Sequence, residues 1–149
     1  MISSEELAAK LTYLSDSLRE LADYSGVQLA VYLEDSRRRR AAERMIQAIV
    51  DCSYDIALEV LNRHGLRGTG KYTDTFADLE KTGLIRRKVC GSMVSTAGLR
   101  NVLVHQYDRI NDEAVYGHIK HILKDFRTFL SATQQWLKSE NLVSEPEGT

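Results

Sequence analysis

The sequence predicts an all-α protein, an up-down bundle of four long amphipathic helices plus a short one. Three observations point there. One proline in 149 residues leaves long helices unbroken. Two apolar stripes recur at helical spacing, one starting at Leu7 and one ending at Leu137. The single run that could be a strand, Val27 to Leu33, has no partner run elsewhere, so it reads as a linking turn or helix extension.

In chain order, Ser3-Ser4-Glu5-Glu6 is a capping box, with Ser3 as N-cap. Leu7, Leu11, Leu14, Leu18 and Leu21 then share one helix face, and the first helix ends near Tyr24, before Ser25-Gly26. Glu34-Asp35-Ser36 caps a second helix to about Asn62, with Met45, Ile49, Cys52, Ile56 and Val60 facing inward, flanked by Ile46, Ala57 and Leu61. The glycines of Gly65 to Gly70 mark a loop. Thr73-Asp74-Thr75 caps a short helix over Phe76 to Lys81, closed by Gly83. A further helix starts near Leu84 and runs through Met93, Ala97 and Leu99. Asn111 or Asp112 caps the last one, whose stripe is Val115, Ile119, Ile122, Phe126, Phe129, Leu130 and Leu137. The expected division is one helical domain over 1–138 and a flexible polar tail over 139–149.

A length of 149 residues fits one domain with its own core. A net charge of −1 confines any nucleic-acid footprint to a local patch. Cys52 and Cys90 stand far apart, with neither disulfide-framework nor zinc-knuckle spacing, and read as buried thiols of a cytoplasmic protein. The N-terminus lacks a basic region followed by an apolar run, and no apolar stretch approaches membrane-span length, so neither export nor a membrane is expected.

The chemistry concentrates in Arg100-Asn101-Val102-Leu103-Val104-His105-Gln106-Tyr107. Arginine is a permanent fork-shaped cation suited to phosphate, and histidine moves its proton near neutral pH. On one unbroken helix, however, His105 points roughly 140° away from Arg100. Either the helix distorts after Arg100, or a second protomer completes the site around a two-fold axis. The alternative is a plain helix end with a histidine facing the dipole.

Other patterns compete. Arg37, Arg38, Arg39 and Arg40, with Arg44 a turn on, open the second helix, where cations are unfavourable. They form either a solvated face or a seat for a polyanion. Arg86-Arg87-Lys88 is a second, weaker basic patch. Gly65 to Lys71 nearly spells a P-loop, but Tyr72 stands where the magnesium-binding hydroxyl belongs and no strand precedes it, so it reads as a helix connection. His118, His121 and Asp125 have helical spacing that could serve a metal, without a compelling third ligand, and read as the edge of an amphipathic helix.

With these residues in place, the chain resembles the HepT-like toxins of the HEPN superfamily. The Arg-x4-His-x-Tyr motif is met by Arg100, His105 and Tyr107, with Asn101 as the favoured polar residue after the arginine. Arg39-Arg40-Ala41-Ala42-Glu43-Arg44, Phe76-Ala77-Asp78-Leu79 and Gly83-Leu84-Ile85 are similar as well, so the likeness covers roughly residues 5 to 138. The resemblance implies a homodimeric, metal-independent and cofactor-free ribonuclease whose RNA cleft lies between protomers. Arg100 and His105 would be catalytic and Asn101 supporting. Tyr107 would be the tyrosine that a cognate MntA-like nucleotidyltransferase antitoxin silences with AMP. Arg37, Arg38, Arg40 and Arg44 are the expected RNA contacts, with the antitoxin as the other candidate. A rival reading is a non-catalytic helical dimer that binds nucleotide or docks a nucleotidyltransferase.

Overall fold

The computed structural model describes residues 2–144. Helix α1 spans Ser4–Ser25, α2 Leu29–Glu34, α3 Ser36–Arg63, α4 Tyr72–Asp78, α5 Arg87–His105 and α6 Asp112–Ser144. No strand occurs among the described residues, so the all-α expectation holds. The four long helices are α1, α3, α5 and α6.

The Ser3 hydroxyl accepts the Glu6 N–H at 3.1 Å and starts α1, whose five leucines at 7, 11, 14, 18 and 21 are all buried against α3 and α6. The Val27 to Leu33 run contains a separate short helix, α2, from Leu29 on, with Val27 and Gln28 leading into it. Tyr32 is fully buried and tilts against Tyr116 at 5.3 Å, tying α2 to α6. Asp35 caps α3 by accepting the N–H groups of Arg37 and Arg38 at 3.0 and 3.2 Å. Of the inward face expected on α3, Met45 is only half-buried, while Ala42, Val50 and Ser53 join the core. At the far end of α3, buried Glu59 holds Arg63 at 3.0 Å and the Ile2 N–H at 3.2 Å, which moors the chain's start.

Two boundaries differ from the sequence expectation. Helix α4 begins at Tyr72, with Lys71 at its cap, so Thr73 to Thr75 lie inside the helix. A 3-10 turn over Leu79–Thr82 follows, closed by Gly83 at φ 73°, which a side chain would disfavour. Helix α5 begins at Arg87 rather than Leu84, because Ile85 turns into the core and Arg86 is extended. The Asn111 carboxamide accepts the Ala114 N–H at 3.1 Å and caps α6. All seven stripe residues of α6, from Val115 to Leu137, are buried. Helix α6 runs past residue 138, and residues 145–149 of the expected tail lie outside the described residues.

Phe76 and Phe126 meet edge-to-face at 6.3 Å in the core between α4 and α6. With Phe126 fully buried, Phe126→Ala is expected to destabilise the fold by about 3–5 kcal/mol. Urea unfolding checks this as a lowered midpoint at unchanged slope. A loss below about 1 kcal/mol would mean that the site collapses around the deletion or is not close-packed.

Candidate active site at the α3–α5 face

Helix α5 stays regular through His105, so it does not distort after Arg100. It ends at Gln106, whose backbone (φ −131°, ψ 45°) leaves the helix while its N–H still donates to the Val102 carbonyl at 2.9 Å. Tyr107–Arg109 form a 3-10 turn, and Ile110 is extended before α6. Arg100 and His105 therefore keep the angular separation expected of a straight helix. Arg100 is half-buried and turned toward α3, His105 is exposed, and no hydrogen bond joins them. One chain alone does not bring the two together.

Arg100 is held with unusual care. Its Nε donates to Asp51 Oδ1 at 2.9 Å, and its guanidinium lies 4.8 Å over the Tyr72 ring. Tyr72 donates its hydroxyl to the same Asp51 oxygen at 3.1 Å and stacks on Tyr54 at 4.0 Å. Such a ring face attracts a guanidinium by about 0.5–2 kcal/mol. Burial and the Asp51 carboxylate keep the Tyr72 phenol above its usual range, so it stays a neutral donor. Asn101 Oδ1 accepts from Nη1 at 3.3 Å. Nη2 has no protein partner among the described residues.

Sequence reasoning missed Asp51, Tyr54 and Tyr72. What the sequence does hold is an acid set among cations on α3. Asp51 stands on the same α3 stripe as Arg40 and Arg44, at successive helical spacings. In the sequence, Tyr72 stands out only as the residue that spoils a P-loop.

The basic run divides by role. Arg39 folds back to the Leu33 carbonyl and pairs with Asp112 at 3.4 Å, joining the α2–α3 junction to the start of α6. Arg37, Arg40 and Arg44 are exposed, Arg38 is half-buried, and none of the four pairs with an acid among the described residues. Arg40 lines a groove of about 220 Å³ with Glu43, Tyr107 and Asp112. Burial, then Asp112, holds the Glu43 carboxyl above its usual range. Tyr107 is 77% exposed, its phenol standing in solvent beside this groove. Arg44 lines the next groove along α3, of about 290 Å³, with Lys10, Tyr13 and Asp51. One face thus carries Tyr107, Arg40, Arg44 and, behind Asp51, Arg100.

The chain matches the model of the Ribonuclease HepT-like family over residues 14–133. It belongs to the HepT-like ribonuclease family. It is 25% identical over 133 residues to the tRNA nuclease HepT of Aphanizomenon flos-aquae, spanning 88% of this chain and 89% of that one. It is also similar to the mRNA nuclease HepT of Shewanella oneidensis, at 28% identity over 85 residues, 57% of this chain and 64% of that one. Among solved structures it resembles the tri-AMPylated Shewanella oneidensis HEPN toxin in complex with its MNT antitoxin. The TM-score there is 0.80 at 20% identity, covering 89% of this chain and 99% of that one. As a member of this family the chain is a ribonuclease.

The remaining candidates take structural places. Gly65 to Lys71 connect α3 to α4 with no strand before them, which removes the P-loop reading. His118, His121 and Asp125 do not cluster, and no group of three or more His, Cys, Asp or Glu among the described residues does. His64 bonds the Val60 carbonyl at 2.7 Å and stacks on Trp136. Burial pushes the Cys52 and Cys90 thiols up to about 11, so both stay protonated near neutral pH. No described helix is long and apolar enough to cross a membrane.

Proposed function

We propose that this chain is the toxin of a toxin–antitoxin pair, a metal-independent endoribonuclease acting on tRNA or mRNA as a homodimer. In this reading a cognate nucleotidyltransferase silences it by AMPylation at Tyr107. The observation that carries it is the Asp51–Tyr72 cradle around Arg100, which fixes one edge of the guanidinium and leaves Nη2 without a protein partner among the described residues. The Shewanella oneidensis toxin, AMPylated and bound to its antitoxin, supports the partner.

A second copy answers the separation of Arg100 from His105. One side of α5 is open: Val94 and Val102 are only half-buried, and Gly91 and Gly98 are exposed with open space where a side chain would stand. A twin helix could approach closely there, burying that face together with His105, which lies on the same side of α5.

In the reaction, one imidazole removes the 2′-hydroxyl proton, and the 2′-oxygen attacks the adjacent phosphorus. Arg100 binds a non-bridging oxygen and offsets its developing charge. The bond to the 5′-oxygen breaks, and the twin imidazole protonates that leaving oxygen. The products are a 2′,3′-cyclic phosphate and a 5′-hydroxyl end. Asn101 steadies the fork through Nη1, and Arg37, Arg38, Arg40 and Arg44 contact the RNA backbone. AMP on Tyr107 places a bulky anion next to Arg40 and blocks RNA by volume and by charge.

Purified protein is expected to cut tRNA or mRNA equally with and without chelator. Absence of cleavage of either RNA would leave the non-catalytic dimer standing. Tyr107→Phe is expected to stay toxic in cells that express the nucleotidyltransferase and to gain no adenylate mass. Rescue of growth by the transferase would count against modification here.

A further inference from the structure

A cleft of about 880 Å³ lies away from the catalytic face, between the start of α5 and the middle of α6. Arg86, Arg87, Lys88 and Lys124 line it, with Glu80 and Asp125 as the acids. Arg86, Arg87, Lys88 and Lys124 are all exposed, and none pairs with an acid among the described residues. Three successive cations open α5, whose first turn holds no acidic residue. That arrangement is unfavourable in isolation, since the positive helix end and the neighbouring like charges repel. A polyanion relieves both.

We propose that this cleft is a second RNA-backbone site, which grips phosphates remote from the cut. The inference rests on the ribonuclease reading of the catalytic face. Lys88 and His105 share α5, 17 residues apart, so about 26 Å separates them along the axis. One phosphate cannot span that gap. A duplex arm of A-form RNA covers it within about one helical turn. The cleft therefore selects for structured RNA long enough to reach both places, and it acts on binding rather than on the chemical step. The chain's overall charge of −1 gives no general attraction for RNA, so its hold on RNA rests on local basic patches such as this one.

The test uses the full chain carrying His105→Ala, so that RNA stays intact, and total tRNA as probe. Affinity is measured across a salt series with and without Arg86→Gln, Arg87→Gln and Lys88→Gln together. Removing three phosphate contacts is expected to lower the slope of log affinity against log salt by about 2–3. On an otherwise parental chain the same triple change is expected to raise KM for tRNA about tenfold or more and leave kcat near parental. Lys124→Gln, on a different helix, is expected to lower the slope by about 0.7–0.9 and keeps the test valid if the triple variant fails to fold. An unchanged slope overturns the proposal. So does a variant that binds tRNA normally but no longer binds the nucleotidyltransferase, which would assign the cleft to that partner. Cleavage by the parental chain reads out the catalytic proposal separately: a parent that cuts tRNA, beside variants with unchanged slopes, sinks the cleft alone.

Discussion

His105→Ala is expected to lower RNA cleavage by about 10²–10⁴-fold, the usual worth of a positioned proton-transfer group, while the protein melts as the parent does. The fold should not notice the change. His105 is the exposed last residue of α5, and the bond that closes the helix runs from the Gln106 N–H to Val102, not through the imidazole. Surface changes of this kind usually fall within about ±0.5 kcal/mol. Initial rates on tRNA and mRNA, paired with a thermal melt, make the comparison. Cleavage near the parental rate would remove the histidine from the chemistry. A low rate with a collapsed melt would indicate a structural role instead.

The fold was legible because its signals were redundant. The α1 leucines and the α6 stripe repeat a period over several turns, and every residue assigned to them is buried. Boundaries around the short helix were less so, since Thr73, Asp74 and Thr75 look like caps in isolation. Their fate depends on Tyr72, which enters the helix to reach Asp51, 21 residues back. The site divides the same way. Arg100, Asn101, His105 and Tyr107 lie within eight residues and announce themselves. The Arg100–Asp51 contact spans 49 residues, and no local pattern encodes it. The arginine run shows the limit of charge counting, because Arg39 is spent on a structural pair with Asp112 while Arg40 faces the Tyr107 groove.

Arg100→Ala is expected to cost about 10²–10³-fold in kcat, the scale found when one donor to a developing oxyanion is removed. Arg100→Lys should recover little. An ammonium is a point charge without the planar fork, so it cannot bond Asp51 through Nε and still present a second edge to phosphate. The sharper discriminator is Asp51→Asn, which keeps an acceptor for Arg100 and Tyr72 but loses the charge. If Asp51 orients the guanidinium, kcat falls about tenfold or more while KM for RNA moves little, because a displaced catalytic group penalises the transition state more than binding. If Arg100 merely braces α5 against α3, both variants would lose thermal stability and the rate of the remaining folded protein would be unchanged. A parental kcat in Asp51→Asn would show that the 2.9 Å contact and the Tyr72 ring are scaffold alone. A kcat loss at unchanged stability requires the fork to be aimed, and among the described residues Nη2 is the nitrogen left without a protein partner to aim.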